Sequence, residues 1–368
     1  MYYTEDKVID VLRKVIHPAF NKDIVSLGLI KELRTESGKI GFTLFFKNPN
    51  DPMKTSIQKA CRKILKDELN PDLEVNIIMQ SEVSSKTKAE RSFFPGVKNI
   101  IAIASGKGGV GKSTLAVNLA IAFAHAGFST GLIDADIFGP SVPKMLGLED
   151  EHPLVRKENG KDIILPLERY GIKTLSIGFF IRSSDAAVWR GPMASNAFQQ
   201  LMGDADWGEL DYLFVDLPPG TSDIHLTLVQ SVAVTGAVIV STPQEIALAD
   251  AIKGINMFKN LTINVPVLGL IENMAWFTPE ELPENRYYIF GQEGCKKLAS
   301  QYQLPFLGQI PLVQGIRESS DTGVPAILGK KIISEYFKSV AENLVTEVAR
   351  RNAEQKPTQK VNVNYNRK

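Results

Sequence analysis

Residues 103–120 read IASGKGGVGKSTLAVNLA, and this stretch decides the fold. It contains the phosphate-binding pattern G-x-x-x-x-G-K-[ST], which runs from Gly106 to Ser113. The apolar residues before the pattern predict a β-strand, and the residues after it predict an α-helix. A phosphate-binding loop needs this order, because unpaired amide N–H groups and the helix dipole then face the phosphates. The stretch therefore predicts a nucleotide site at the start of an α/β sheet.

Each part of this P-loop has a predicted role. Its four glycines let the backbone approach the phosphates closely. Lys112 is expected to reach the β- and γ-phosphates, and the Ser113 hydroxyl is expected to ligate Mg²⁺. The pattern does not require Lys107. The predicted nucleotide-binding residues of the loop are Gly106, Lys107, Gly108, Gly109, Val110, Gly111, Lys112, Ser113 and Thr114.

Carboxylates follow two further predicted strands. LIDADIFGPS (132–141) contains Asp134 and Asp136, and YLFVDLPPGTSD (212–223) contains Asp216. Asp216 follows an apolar run, as a Walker B carboxylate does, and such a carboxylate holds Mg²⁺, usually through water. Asp136, or alternatively Asp134, could orient the attacking water. The other interpretation is that these aspartates only cap the turns that follow the strands.

The periodicity of apolar residues divides the chain into two parts. The first part predicts helices at 4–16 and 53–68 and strands at 23–33, 38–46 and 73–79. From Asn99 onward, seven short apolar runs alternate with helical segments, which predicts a mostly parallel, doubly wound sheet. The predicted boundaries are residues 1–80 for a small α+β domain, 81–97 for a linker, 98–350 for a P-loop ATPase domain and 351–368 for a disordered tail.

Composition argues against several classes of protein. Forty-two basic and 41 acidic residues leave a formal charge of +1, so there is no broad field to hold nucleic acid or an anionic membrane. The N-terminus does not resemble a secretory signal, and no run reaches the roughly 18 apolar residues of a membrane span. The two cysteines, Cys61 and Cys295, form no C-x-x-C pair. We therefore expect a cytoplasmic protein without a disulfide or a structural zinc site.

The motifs together resemble a known family. KGGVGKST (107–114), with its early lysine, is similar to the deviant Walker A loop of the MinD/ParA-type ATPases. DADIFGPS, WRGPM, DLPPGTSD, ENM and IPL...IRESSDTGVP follow in order over about residues 99–349 and resemble the Mrp/ApbC iron–sulfur cluster carriers. The first 80 residues resemble the small assembly domain, related to SufT, that many bacterial members carry.

The resemblance implies a homodimeric, Mg²⁺-dependent ATPase that transfers iron–sulfur clusters between scaffold and recipient apoproteins. In that family the early lysine, matched by Lys107, reaches across the dimer to the phosphates bound by the partner. The simpler alternative is a solvated loop lysine. The resemblance also implies that Asn273 reads the adenine edge and that Pro311 lines the base pocket. WRGPM and DLPPGTSD would be switch segments that respond to the γ-phosphate.

One departure from the family concerns the cluster ligands. The carriers usually have a C-x-x-C pair after ENM, whereas this chain reads ENMAWFTPEELPENRYYIFG at 272–291, with glutamates at 280, 281 and 284. Asn50-Asp51-Pro52 likewise stands where relatives often have a cysteine. We therefore expect cluster binding at this loop to be lost or very labile, and the loop to dock a partner that carries the cluster. The aromatic residues Trp276, Phe277, Tyr287 and Tyr288 would either anchor that partner or pack against their own domain.

Two other functions remain open from the sequence. A MinD/ParA-like dimer would use ATP to time its attachment to membrane or DNA, but the terminal amphipathic anchor and the net charge for this are missing. A small-molecule P-loop kinase is less supported, because nothing resembles an acceptor site.

Overall fold

The chain forms two compact units in the computed structural model. One unit comprises Met1–Glu90 with Val345–Lys356, and the other comprises Arg91–Leu344 with Pro357–Lys368. The structure describes residues 3–18, 20–36, 38–46, 51, 53–81, 93–158, 160–180, 191–279, 281–282 and 284–361. None of the helices in these ranges combines the length and the apolarity that crossing a membrane requires.

The first unit is built on a three-stranded sheet of order β3-β4-β5, in which β4 is antiparallel to β3 and parallel to β5. Its elements are α1 (Glu5–Leu12), β1 (Ile16–His17), β2 (Lys22–Asp23), β3 (Ile30–Glu36), β4 (Lys39–Phe46), α2 (Lys54–Glu68) and β5 (Glu74–Ser81). Thr4 caps α1 by accepting a hydrogen bond from the amide of Lys7. Both helices bury one apolar face, as their periodicity predicts.

The strand predicted at 23–33 is wrong in its first half. Asp23 Oδ1 accepts the Ser26 amide at 2.7 Å, and Gly28 has a φ of +68°. This side chain turns the backbone, and a residue without a Cβ allows the left-handed conformation that ends the turn. The strand β3 therefore begins only at Ile30.

The second unit contains an eight-stranded sheet flanked by helices. The strands of that sheet are β6 (Val97–Ser105), β7 (Thr130–Asp134), β10 (Leu167–Arg169), β11 (Ile172–Ser176), β12 (Leu210–Asp216), β13 (Gly236–Ser241), β14 (Val267–Phe277) and β15 (Phe306–Leu312). The strands β8 (Leu154–Glu158) and β9 (Lys161–Leu165) form a separate hairpin. The helices of the unit are α3 (Lys112–His125), α4 (Val142–Met145), α5 (Gly191–Gly203), α6 (Asp223–Ser231), α7 (Glu245–Lys259), α8 (Gly294–Tyr302) and α9 (Gln314–Asp321). The helix α10 (Lys331–Glu354) begins in this unit.

The order of the large sheet is β10-β11-β7-β12-β6-β13-β14-β15, and only β10 runs antiparallel to its neighbour. Crossovers leave β6 in both directions, so the predicted mostly parallel, doubly wound sheet is confirmed. Each of the seven apolar runs forms one of the parallel strands. The hairpin β8–β9 and the edge strand β10 were not predicted. Every residue of β8 is exposed, so this strand lacks the apolar pattern that would reveal it.

Parallel strands bring the predicted site residues to one edge of this sheet. Asp216 at the end of β12 lies in register with Asp134 at the end of β7 and with Ile103 in β6. The last seven residues of β6 are buried, so its end cannot shift without exposing apolar surface to water. The P-loop therefore begins beside both carboxylates.

The segment predicted to be a disordered tail is partly ordered. The helix α10 continues to Glu354, beyond the predicted limit of 350. Further along, the amide of Val361 donates a hydrogen bond of 2.9 Å to the carbonyl of Val229. Residues 362–368 lie outside the described residues. In the predicted linker, Phe94 is buried and packs edge-on to Trp207, and residues 82–92 are not described.

An aromatic cluster joins α3 to the sheet beneath it. The ring of Phe123 lies edge-on to Tyr212 at 4.7 Å and to Phe214 at 5.0 Å, and it is fully buried. Because α3 carries the P-loop at its start, this packing holds the loop on the sheet.

Phe123→Ala is therefore expected to lower the free energy of unfolding by about 3–5 kcal/mol, since it leaves a cavity in close-packed surroundings. Urea unfolding followed by circular dichroism measures this loss. The matched control is Leu261→Ala, because Leu261 is 94% exposed, and its effect is expected to stay within about 0.5 kcal/mol. A loss of similar size in both variants would contradict the assignment.

Candidate nucleotide-binding site

The shape of the P-loop depends on its glycines. Gly109 and Gly111 both have a φ of +80°, a conformation that side chains disfavour. Gly106 lies against the backbone of α7, where a Cβ would come 2.2 Å from the carbonyl carbon of Asp250. Glycine is therefore required for the backbone conformation at two positions and for close approach at a third.

The helix α3 begins at Lys112 with no side chain capping its first amides and no acidic residue in its first turn. Gly111 is the N-cap residue and has a left-handed conformation. The partial positive charge of a helix N-terminus is thus left for an external anion. The position immediately after the loop suits phosphate oxygens.

A buried ion pair lies at the centre of the site. Lys112 Nζ donates to Asp216 Oδ1 at 2.5 Å and to Ser113 Oγ at 3.2 Å. Lys112 is 5% exposed and Asp216 is fully buried. The structure therefore brings together the three side chains that the sequence predicted for phosphate and magnesium.

The surroundings of the second carboxylate oxygen of Asp216 indicate whether Mg²⁺ fits this site. Asp216 Oδ2 is buried and accepts no hydrogen bond from the described residues. A carboxylate oxygen that accepts nothing from the described residues is the kind of hard ligand that Mg²⁺ takes, and Lys112 Nζ contacts both this carboxylate and the Ser113 hydroxyl. The described residues hold no group of three or more His, Cys, Asp and Glu side chains that could bind a metal. Mg²⁺ needs no such group, because it usually keeps several waters and binds substrate phosphates.

Asp134 and Asp136 differ in their surroundings. Asp134 is fully buried: its Oδ2 accepts Ser176 Oγ at 3.0 Å and the Val142 amide at 3.3 Å, and its Oδ1 accepts the Asp136 amide at 3.1 Å. Burial, followed by the charge of Asp216, raises the pKa of Asp134 to about 7. Asp136 is half-buried, and its burial also raises its pKa. Asp134 thus holds the loop after β7, while Asp136 stays in reach of solvent.

The side chain of the early lysine makes no contact with a charged or hydrogen-bonding partner among the described residues. Lys107 is half-buried, and its carbonyl oxygen accepts Ser105 Oγ at 3.0 Å. In the part of the chain that the structure describes, its ammonium group makes no hydrogen bond or ion pair. Its predicted role across a dimer stays a prediction.

Asn273 contacts the backbone of the P-loop through its side chain. Its Nδ2 donates to the carbonyl of Val110 at 2.8 Å, and the residue is 7% exposed. Its neighbour Glu272 is fully buried and accepts the Cys295 amide and Gln309 Nε2, both at 2.7 Å. The contact of Asn273 with the loop backbone was not predicted. Its role in reading adenine stays a prediction, as does that of Pro311, which is buried in β15.

The burial and contacts of the aromatic residues in the loop after β14 distinguish between packing against their own domain and anchoring a partner. Trp276 is buried, lies edge-on to Tyr336 at 5.8 Å, and has the Arg286 guanidinium 4.4 Å from its ring. Phe277 and Tyr287 exchange two backbone hydrogen bonds of 2.8 and 2.9 Å. Tyr287 and Tyr288 are 46% and 41% exposed. Trp276 therefore packs against its own domain, whereas the two tyrosines present surface to solvent.

Some predicted residues lie outside the described residues. These are Trp189 and Arg190 of the WRGPM segment, Glu280 of the loop, and Asn50 and Pro52.

Both cysteines are packed inside the protein. Cys61 and Cys295 are fully buried free thiols. Burial raises the pKa of Cys61 to about 12, and burial together with the charge of Glu272 raises the pKa of Cys295. Cys295 Sγ faces the carbonyl of Thr242 at 3.9 Å. Neither thiol is placed to become an exposed thiolate ligand.

Comparisons with known proteins identify the family of the chain. A family model described as NUBPL iron-transfer P-loop NTPase matches residues 96–345. The chain belongs to this family. A second model, described as iron-sulfur cluster assembly protein, matches residues 5–77. The family expected from the sequence motifs is thereby confirmed.

Relatives match over most of the chain. It is 42% identical over 328 residues to an iron-sulfur cluster carrier protein of Synechocystis sp., covering 89% of this chain and 92% of the relative. It is 40% identical over 356 residues to a protein of the same name from Deinococcus radiodurans, covering 96% and 98%. Among solved structures, the nucleotide-binding protein of Archaeoglobus fulgidus in complex with ADP is 36% identical, with a TM-score of 0.56 over 66% of this chain and 93% of that one.

The buried ion pair generates a prediction for the nucleotide-free protein. Lys112→Met leaves the carboxylates of Asp216 and Asp134 buried without a cation, whereas adding Asp216→Asn removes one of them. The double variant is therefore expected to be more stable than Lys112→Met alone, with a coupling free energy of about 1–3 kcal/mol.

A double-mutant cycle by urea unfolding measures this coupling. The control pair is Lys144 with Glu149, which are 3.7 Å apart and more than half exposed. The cycle with Lys144→Met and Glu149→Gln is expected to give a coupling close to zero. A coupling near zero for Lys112 and Asp216 as well would show that the buried pair is not held as described.

Proposed function

We propose that this chain is a homodimeric, Mg²⁺-dependent ATPase that works in the assembly or delivery of iron–sulfur clusters in the cytoplasm. The observation that carries the proposal is the buried Lys112–Asp216 pair beneath a glycine-shaped P-loop. Membership of a family of iron-transfer P-loop NTPases supports it. The ADP bound by the Archaeoglobus relative and the carrier names of the other relatives support it further.

The proposed binding step exchanges one partner of Lys112 for another. The phosphates of ATP bind at the first turn of α3, where the amides are uncapped. Lys112 then turns from Asp216 to the β- and γ-phosphates. Ser113 and Asp216 would hold Mg²⁺, which supplies positive charge against the phosphate oxygens. The unpartnered Oδ2 of Asp216 supports this assignment.

Hydrolysis needs a positioned water and a charge opposite the γ-phosphate. Asp136 is assigned to the water because it is partly open to solvent, whereas hydrogen-bond donors already occupy both oxygens of Asp134. Lys107 is assigned to the phosphates bound by the partner subunit, because its ammonium group pairs with none of the residues that the structure describes. Nucleotide binding and dimerisation then become one event.

The cluster is the cargo of this reaction, and this chain offers it few ligands. Clusters are held by thiolates, and both cysteines are buried with raised pKa values. Glu281 and Glu284 are exposed, but carboxylate oxygen is a poor ligand for cluster iron. We therefore assign the thiolates to scaffold and recipient proteins, with Tyr287 and Tyr288 as contacts for them.

A MinD/ParA-like positioning dimer is the alternative function. The names of the close relatives favour cluster transfer over it. The proposal includes no nucleic acid and no membrane as partners, so stimulation of the ATPase by DNA or lipid vesicles would favour the alternative.

Substitutions of Lys112 and of Lys107 by alanine are expected to have different effects on ATP binding and on dimerisation. Lys112→Ala removes a charged contact within one subunit and is expected to weaken ATP binding about ten- to a hundredfold. Lys107→Ala is expected to keep most of the affinity but lose hydrolysis and ATP-dependent dimerisation. Calorimetry and analytical ultracentrifugation measure these effects. Lys144→Ala, at an exposed position, is the control. Equal loss of affinity in both variants, with dimerisation intact in Lys107→Ala, would overturn the assignment across the dimer.

Anaerobic reconstitution with iron and sulfide tests the assignment of the cargo. The chain alone is expected to form no stoichiometric, chelator-resistant [4Fe–4S] cluster, because it lacks an accessible set of thiolates. Absorption spectroscopy and metal counting give the readout, and Cys61→Ser and Cys295→Ser are the matched controls. A stable cluster that survives both substitutions would show that this chain has ligands of its own, and loss of that cluster in Cys295→Ser alone would identify one of them.

A further inference from the structure

A groove with an excess of positive charge lies in the first unit. Its volume is about 520 Å³, and it runs between α2 and the start of β5. Four basic side chains of α2 line it: Lys59, Arg62, Lys63 and Lys66. We call this feature the cationic groove. It has no residue in common with the nucleotide site.

The position of these cations follows from the helical period. Ile57, Cys61 and Leu65 face the core of the unit. The basic residues follow one another at intervals of three, one and three positions, so they form a stripe on the other side of the helix, about 10 Å long. All four are exposed.

The positive charge of the groove is not neutralised by its surroundings. Two nearby acidic residues have other partners: Glu74 pairs with Lys39 and Glu68 pairs with Lys14, both at 2.8 Å. A third, Asp67 on α2, makes no ion pair with a described residue. None of the four cations makes an ion pair with a described residue. Like charges four positions apart also destabilise a helix. The fold does not need these charges, which points to an external anion.

The rest of the groove indicates what kind of anion fits. Its floor contains the buried apolar side chains of Leu73 and Val75, and Glu74 stands between them. The lining offers no aromatic ring on which the bases of a nucleic acid could stack. The strand β5 is at the edge of its sheet, the position at which an extended peptide can add to a sheet.

We propose that the cationic groove binds an acidic segment of another protein. Carboxylates of the segment pair with the stripe on α2, and apolar side chains between them contact Leu73 and Val75. The proposal goes beyond the ATPase function and does not rest on it, since neither nucleotide nor cluster takes part.

Fluorescence anisotropy of a labelled peptide with four Glu-Leu repeats, titrated with the full chain, tests this proposal. Binding is expected to saturate and to weaken as salt is added. The variant Lys59→Gln/Arg62→Gln/Lys63→Gln is expected to lose about tenfold in affinity, and Arg62→Gln alone part of that. The control Lys22→Gln/Lys31→Gln/Arg34→Gln removes the same charge from exposed positions on β2 and β3 and is expected to lose less than about twofold.

Four outcomes would overturn the proposal. Equal loss in both triple variants would mean that only net charge matters, and unchanged binding in the groove variant would mean that the peptide binds elsewhere. Equal binding of a peptide with Lys-Leu repeats would remove the charge argument. Tighter, groove-dependent binding of inorganic polyphosphate, oligo(dT) or phosphatidylglycerol vesicles would make the ligand a phosphate polyanion instead. Circular dichroism on each variant shows that it is folded.

Discussion

The ion pair between Lys112 and Asp216 is the interaction on which the rest of the site depends. Removing two charges from water is costly unless they meet in good geometry and their remaining atoms are satisfied. The start of α3 and the end of β12 must therefore lie together, although 104 positions separate the two residues. The buried end of β6 and the glycines of the P-loop meet this requirement, because they fix where Lys112 begins its helix.

The same pair connects nucleotide binding to metal binding. Asp216 pairs with Lys112, so the buried cation has a partner within the chain. In the proposed binding step, the lysine takes phosphate oxygens as partners and the carboxylate becomes available to a cation. Asp134 stays bound to Ser176 and to backbone amides and keeps the adjoining loop in place. One exchange of partners thus serves both ligands.

In the proposed function, the nucleotide site belongs to this chain, whereas the ligands of the iron–sulfur cluster belong to its partners. The Lys112–Asp216 pair lies at the P-loop, whereas both thiols are buried. The surfaces proposed for other proteins are the exposed tyrosines of the loop after β14 and the cationic groove. In the proposed function, partners contribute the soft ligands and this chain contributes the ATP-driven change of state.

The sequence by itself determined the P-loop, the parallel strands of the large sheet and the carboxylate at the end of β12, because short-range patterns encode each of them. It could not reveal β8, whose residues are all exposed, or the turn at Asp23, where one side-chain hydrogen bond overrides an apolar run. Only the tertiary structure decided that Asn273 holds the carbonyl of Val110, 163 positions away, and that Ser176 holds Asp134. The physical reason is that these hydrogen bonds join residues on different strands and loops, so they exist only after the sheet has brought the strand ends together.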